Sequence, residues 1–495
     1  MLLKFSRIDV YMAGAILLSI IFRLIAMPFS MTTEADAVSR IFMAIEWIQK
    51  PYLISSGVWG PLHTYLIAGI LFIWNNPIYA PILLNIFFSA AVAIPLYFFV
   101  KREWNENAGL FTTCIYLIYP VAIRNSLMAL SEIPFIFFVT LTLLFLSFAM
   151  GGKNNWKYAF MAGIFLTLAA SLRYEAWVLI PALGIILWKR WKSFLVFLFA
   201  SMLFPVFWMS GNYIQYGDPL YGTDSAINWQ INISHVNNNL RLIDLINRAI
   251  FFPQALFFGI TPLAFLVCLA GIILVIFKHK KQQIWLIPLV VLFVFYMVSV
   301  INGTLALHVR YSLTLAILLI PFAAEWYVSL KLPYNNLFHL LLIASILPMS
   351  FIEWKAPFPI LVGEEIHPIP QLNQQAVNIS KFEIAQGKSF PGGLLLDFFG
   401  WENTYYVALM SQQGPENIFI MPGGTNEALN IYSLNEFLGK NPTGIILLTK
   451  YPRFMQIDHQ SNGIKLSFLG NDKKLSAKLL GNVEDISFYS YSISP

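Results

Sequence analysis

Apolar residues arrive along this chain in long blocks with short polar punctuation, and the blocks approach the ~20 residues that a helix needs to cross a bilayer. Eleven of them predict membrane spans: 9–27, 78–100, 109–124, 133–150, 157–171, 176–188, 193–211, 255–277, 284–302, 311–329 and 336–352. A further stretch, His63–Trp74, sits between Trp59-Gly60-Pro61 and Asn75-Asn76-Pro77. It is short for a span and reads as a helix lying in, or re-entering, the outer interface.

Two polar segments between spans are long. Residues 28–77 carry a helical pattern at Ala37–Gln49, and residues 212–254 an amphipathic one at Leu240–Phe252. From Pro357 the pattern changes. Pro357, Pro359, Pro368 and Pro370 mark a linker, and soluble alternation follows. Short apolar runs at Gly393–Phe398, Ile418–Met421 and Gly444–Leu448 predict buried strands. Helical patterns at Asn403–Gln412 and Thr425–Gly439 lie between them, an order that suggests a small parallel sheet. Gly423-Gly424 after Pro422 is a turn without a dinucleotide fingerprint. The expected fold is a polytopic α-helical membrane protein of about 11 spans over 1–356, with an α/β domain outside the membrane over 357–495.

Composition agrees with the pattern. Hydrophobic residues make up 58% and charged residues 11% of the 495, against roughly 25% charged in soluble domains. A soluble or disordered chain is excluded. Cys114 and Cys268 lie in apolar stretches and imply no disulfide framework. No cleavable signal peptide is expected, because Val10–Met27 leads into further spans without a small-residue cleavage site.

The net charge of +6 is divided unevenly: 22 basic against 13 acidic residues in 1–356, and 9 against 12 beyond. Basic excess in the membrane part encodes orientation rather than a nucleic-acid partner. With Lys4 and Arg7 inside and 61–74 not crossing, the clusters Lys101/Arg102, Lys153/Lys157, Lys189/Arg190/Lys192, Lys278/Lys280/Lys281 and Lys331 all fall inside. The C-terminal domain then lies outside. Glu34, Asp36, Arg124, Glu132, Arg173, Glu175, His308 and Arg310 gather on that same outer side. Charges at a membrane boundary are costly unless they pair or line a wet cavity. A polar cavity open to the outer leaflet is the expectation.

Glu34 and Asp36, two residues apart beyond the first span, can bind a divalent cation or act as an oriented base. Asp36 can also simply cap the helix that follows it. Ser131-Glu132-Ile133-Pro134 opens a span, and Glu132 among apolar neighbours demands a partner such as Arg124 or Arg173. Arg173-Tyr174-Glu175 and His308-Val309-Arg310-Tyr311 stand at the same level. A guanidinium there can grip a phosphate, or anchor the helix end at the interface. His63 and Trp59 can contact substrate or serve as interfacial anchors. Asn232-Ile233-Ser234 and Asn378-Ile379-Ser380 match a glycosylation acceptor pattern that matters only in a eukaryotic chain.

In their order and sidedness these motifs resemble the GT-C superfamily of membrane glycosyltransferases. Glu34-Ala35-Asp36 stands where the superfamily's acidic motif belongs, with Arg40 after it, and Trp59–Leu66 looks like its interfacial helix. Lys101-Arg102, Ser131–Pro134 and Arg173–Glu175 are similar to the branch of protein O-mannosyltransferases and lipid A aminoarabinose transferases. The likeness covers roughly residues 1–330; the usual adjacent Asp-Glu is here split by Ala35, which leaves the base open between Asp36 and Glu34.

The resemblance implies an enzyme that transfers a hexosyl or pentosyl group from a polyprenyl-phosphate donor to a lipid, glycan or protein acceptor, with inversion. It implies Asp36 as base oriented by Glu34, and Arg310, Arg173 and Arg124 around the donor phosphate. Glu132, Glu175, Tyr174, His63, Trp59, His308 and Tyr311 would support substrate. A divalent metal (Mg or Mn) on Glu34 and Asp36 stays open. The expected location is a prokaryotic plasma membrane, N-terminus cytoplasmic and residues 357–495 extracytoplasmic. The alternative is a transporter or flippase of a lipid-linked saccharide, for which internal repeats would be usual; none is found.

Overall fold

The computed structural model describes residues 6–29, 34–151, 155–234, 242–330, 374–421, 432–452, 455–460, 463–468 and 474–493. The expected span 336–352, the proline-marked linker and the Gly423-Gly424 turn lie outside these residues. Among the described residues seven helical segments are long and apolar enough to cross a membrane, and three further apolar helices are shorter.

The bundle opens with α1 (Arg7–Ala26), whose Ser6 and Asp9 form a capping box. The first polar segment supplies α2 (Ala35–Gln49) and α3 (Leu62–Ile73). At 12 residues, α3 is about 18 Å long and cannot cross; its end exposes Phe72 and Ile73, as an interfacial helix would. A 25-residue span follows as α4 (Tyr79–Glu103).

The expected span 109–124 is broken. α5 (Glu106–Leu117) and α6 (Pro120–Ser126) meet at Tyr119, because Pro120 pushes the residue before it out of helical geometry. Arg23 of α1 fills the break. Fully buried, it donates to Leu117 O, Ser19 and Ser126 Oγ, satisfying a carbonyl that the broken helix leaves open. Next come α7 (Glu132–Ala149), α8 (Asn155–Ala170) and α9 (Glu175–Gly184). α10 (Trp191–Ser201) and α11 (Leu203–Tyr216) together make one long apolar segment.

The segment 212–254 is more helical than its polarity suggests. It holds the end of α11, then α12 (Tyr221–Ser234) and most of α13 (Leu242–Ile260). The span expected at 255–277 is interrupted at Thr261, which adopts φ +88° before Pro262. Its first half is the end of α13; its second is α14 (Pro262–Phe277). α15 (Leu286–Ile301), α16 (Ser312–Leu319) and α17 (Ala323–Ser329) complete this part. α14 crosses α17 so closely that a Cβ on Gly271 would stand 1.9 Å from the Phe322 carbonyl oxygen, the approach that small residues permit in membrane bundles.

Beyond residue 373, α18 (Gln374–Gly387) leads into a seven-stranded sheet of order β2-β1-β3-β7-β6-β5-β4. β1 (Gly393–Asp397), β2 (Ile418–Met421) and β3 (Thr443–Thr449) pair in parallel. α19 (Trp401–Met410) and α20 (Leu434–Lys440) connect them. The sequence reading misses the antiparallel half: β4 (Met455–Gln460), β5 (Gly463–Phe468), β6 (Lys474–Val483) and β7 (Ile486–Ile493). Strands buried on both faces read as apolar runs, whereas β6 alternates buried and exposed positions and carries no such run. The domain's α19 packs on α2, and one hydrophobic cluster joins Val38 and Ile41 to Tyr405 and Leu409.

The two ends of the bundle differ in charge. At one end Lys101 pairs with Asp9 (2.8 Å), Lys281 with Glu103 (3.7 Å), and Lys278 and Lys280 both approach Glu325 (3.8 Å). Arg102 and Arg190 donate to Ser147 O and Ala149 O there. Lys101, Arg102, Arg190, Lys278, Lys280 and Lys281 thus share one end, and the acidic pair stands at the other.

Candidate active site

Glu34 is the N-cap of α2 but makes no side-chain hydrogen bond to the helix backbone, and Asp36 lies in the first turn. Capping therefore does not account for the pair. Both carboxylates reach instead to Arg310, which sits in a short 3-10 turn (Val309–Tyr311) ahead of α16. Arg310 Nη1 donates to Glu34 at 2.6 Å and Nη2 to Asp36 at 2.5 Å. Its Nε lies 3.4 Å from Glu132 Oε1. Residues some 270 positions apart in sequence are joined by a charge-assisted fork.

Glu132, the first residue of α7, is buried and demands the partner that the sequence suggested. It has two: Arg310, and Arg173 Nη1 at 2.7 Å. Arg173, in the turn between α8 and α9, grips Glu175 through Nε (3.1 and 3.2 Å) and Nη2 (2.7 Å). Tyr296 donates to Glu175 from the far side at 3.3 Å. The ring of Tyr311 lies between the two guanidinium groups, 5.0 Å from Arg173 and 5.4 Å from Arg310, with His308 edge-on at 5.6 Å. Carboxylate and guanidinium alternate across the site: Asp36 and Glu34, Arg310, Glu132, Arg173, Glu175.

Electrostatics follow the geometry. Burial works to raise the Asp36 carboxyl, but Arg310, with Arg40 and His308 behind it, holds it below the ordinary carboxylate range. Burial opposes the charge on Arg173, and Glu132 and Glu175 more than offset it. Asp36 keeps 45% side-chain exposure, against 3% for Glu132 and 10% for Arg310. Of the carboxylates around Arg310, Asp36 is the one most open to a substrate.

A second wall comes from residues 57–65. Tyr174 donates to Val58 O (2.9 Å) and accepts from Trp208 Nε1 (3.0 Å). A Cβ on Gly60 would stand 2.3 Å from Ser171 O, so only glycine lets this strand of loop lie against the α8–α9 turn. Trp59 is thereby held under the guanidinium of Arg40, 4.9 Å from its ring centre. His63, fully buried in the first turn of α3, has no hydrogen-bond partner at either ring nitrogen among the described residues. Burial, then Arg40 and Arg173, push its pKa well down, so it is neutral.

Most of the residues singled out in the sequence are thus brought together. Arg124, half-buried in the last turn of α6, lies on a helix that touches the Arg310 turn. Arg40, noted in the sequence only as following the acidic motif, joins the site one helical turn beyond Asp36. Asn232 lies in α12, and Asn378 in α18 with Ile379 and Ser380 buried, which is no exposed acceptor loop. The acidic pair meets a guanidinium where a divalent ion had been considered. Among the described residues no group of three His, Cys, Asp or Glu side chains is placed to hold a metal.

Residues 58–210 match the family model for dolichyl-phosphate-mannose-protein mannosyltransferases. ArnT from Cupriavidus metallidurans in its apo state superposes with a TM-score of 0.64 at 10% identity, covering 98% of both chains. The same protein bound to undecaprenyl phosphate gives 0.64 at 9% identity, over 97% of this chain and 98% of that one. With the Archaeoglobus fulgidus oligosaccharyltransferase in complex with zinc and sulfate the TM-score is 0.48 at 12% identity. That match covers 80% of this chain, which spans 61% of the archaeal chain's length. No curated protein matches by sequence. The fold is that of ArnT, a polytopic helical bundle with a C-terminal strand-rich domain. The chain resembles ArnT over its length and the protein mannosyltransferases over residues 58–210.

Proposed function

We propose that this chain transfers a sugar from a polyprenyl-phosphate donor to an acceptor hydroxyl, or a similar nucleophile, at the outer face of the membrane. The observation that carries this reading is the Arg310 fork: it grips Glu34 and holds Asp36 ionised beside a cationic wall, with Asp36 open to substrate. ArnT with undecaprenyl phosphate bound supplies the donor class for the same fold.

Asp36 accepts the acceptor's proton as the acceptor oxygen bonds to the anomeric carbon. The bond from that carbon to the phosphate oxygen breaks, and its electron pair leaves with the polyprenyl phosphate. Displacement on the opposite face inverts the centre. Negative charge grows on the departing phosphate, and guanidinium groups fixed in a site of low dielectric stabilise it. Arg310 and Arg173 form that field, and Glu34 and Glu132 fix their orientation. Arg124 lies nearby on α6. The N-terminus and Lys101/Arg102 would face the cytoplasm and residues 357–495 the outside, dividing the chain at 356.

The test uses the full chain in nanodiscs with a panel of polyprenyl-phosphate sugars, reading release of polyprenyl phosphate. Asp36→Asn should keep its fold and bind undecaprenyl phosphate while transfer falls at least about 100-fold. Undiminished transfer in this variant sinks Asp36 as base. Movement of intact donor across the membrane without release would replace the reading by transport.

A further inference from the structure

The donor's phosphate needs a cation, and the guanidinium groups of Arg310 and Arg173 are already engaged by carboxylates. Both Nη atoms of Arg310 donate to carboxylates, Glu34 at 2.6 Å and Asp36 at 2.5 Å, and its Nε lies 3.4 Å from Glu132 as an ion pair without a hydrogen bond. Arg173 is divided between Glu132 and Glu175, each at 2.7 Å. A phosphate that took either group would leave the buried Glu132 short of a partner, which is costly in a site of low dielectric.

Arg40 differs. It is 7% exposed, and its Nη1 is shielded from water without a hydrogen-bond partner among the described residues. Its guanidinium lies over the Trp59 ring, 4.9 Å from the ring centre, a contact that helps fix its place without using an N–H. Asp36 and Glu132 feel its charge, so it belongs to the same field. An unpartnered buried donor costs about 1–3 kcal/mol, more when charged. An anionic oxygen would recover that cost without taking a guanidinium from the acidic groups.

We infer that Arg40, backed by Trp59, anchors the phosphate of the lipid donor, while Arg310 remains with Glu34 and Asp36. The inference rests on the polyprenyl-phosphate reading above and adds a binding residue that the sequence motifs left without a role. It also separates two duties of the cations: Arg40 contacts the leaving phosphate directly, whereas Arg310 and Arg173 act on it through their field while they stay with the carboxylates. His63, neutral and close enough to feel the Arg40 charge, offers an uncharged nitrogen on the same wall.

The experiment measures binding of undecaprenyl phosphate and of undecaprenol, which lacks the phosphate, to the full chain in nanodiscs. The readout is the ratio of their affinities. Wild type should favour the phosphate, and Arg40→Gln should cut that ratio roughly 10- to 100-fold, the worth of a hydrogen bond to a charged group. A purely structural role for Arg40 would weaken both lipids equally and leave the ratio intact; that outcome overturns the inference. If Arg40→Gln does not fold, Arg40→Lys decides, because a point charge without the planar fork should still lower the ratio several-fold; an unchanged ratio overturns it. Absence of any preference in wild type would instead bring down the donor reading itself.

Discussion

Glu132 shows how a single buried carboxylate can organise a site. It lies 2.7 Å from Arg173 and 3.4 Å from Arg310, so it sets the spacing of two cations that would otherwise repel. Glu132→Gln keeps the volume but leaves Arg173 and Arg310 undercompensated. We expect a loss of about 3 kcal/mol in stability, seen as a lower melting temperature of the purified chain, together with loss of transfer. Asp36 gives a second expectation. Its carboxyl is held below its ordinary value of 3.8 by Arg310 and its neighbours against burial. A depressed acid stabilises the fold fully above that ordinary value and ceases to do so as pH falls through the depressed one. Acid melts should therefore steepen below the ordinary Asp range, and Asp36→Asn should remove that part of the slope. From the residues alone, charges at helix ends were legible. Their pairing was not, because Arg310 and Glu34 are 276 positions apart and nothing local records the match.

Among the elements, α14 and α18 depend on single side chains. Gly271 lets α14 lie against the Phe322 carbonyl. Gly271→Ala should force the helices apart at about 1–3 kcal/mol, lowering the melting temperature without changing the site's chemistry. In α18 the buried Glu383 has an Oε2 with no partner among the described residues, and burial raises its pKa from 4.5 to about 7. A raised acid binds more protons when folded, so its destabilisation grows as pH rises from the unfolded value through the folded one. Glu383→Gln should stabilise the C-terminal domain at pH 8 by about 3 kcal/mol, with the gain fading toward pH 4.5. Thermal melts at the two pH values check this. Helix existence was readable at this scale. The breaks at Tyr119 and Thr261 were marked by Pro120 and Pro262, but apolar runs hide a break, since hydropathy averages across it. The antiparallel strands escaped for the related reason that half-buried strands are not apolar throughout.

For the whole molecule, the C-terminal domain does more than follow the bundle. Through α19 it covers α2, the helix that carries Glu34, Asp36 and Arg40. A chain ending after residue 330 would expose Val38 and Ile41 to water, and it should bind a hydrophobic dye, melt lower and lose transfer. Full activity in that truncated chain would show that the domain merely accompanies the site. The sequence by itself determined the class of solvent each segment requires, because burial of apolar surface and the topological bias of Lys and Arg are local quantities that add along the chain. It therefore settled that this is a many-span membrane protein and gathered the acidic and basic candidates on one side. The tertiary structure alone decided which carboxylate meets which guanidinium and which cation is left uncommitted. Those are distances of a few ångströms between helices far apart in sequence, and only packing sets them.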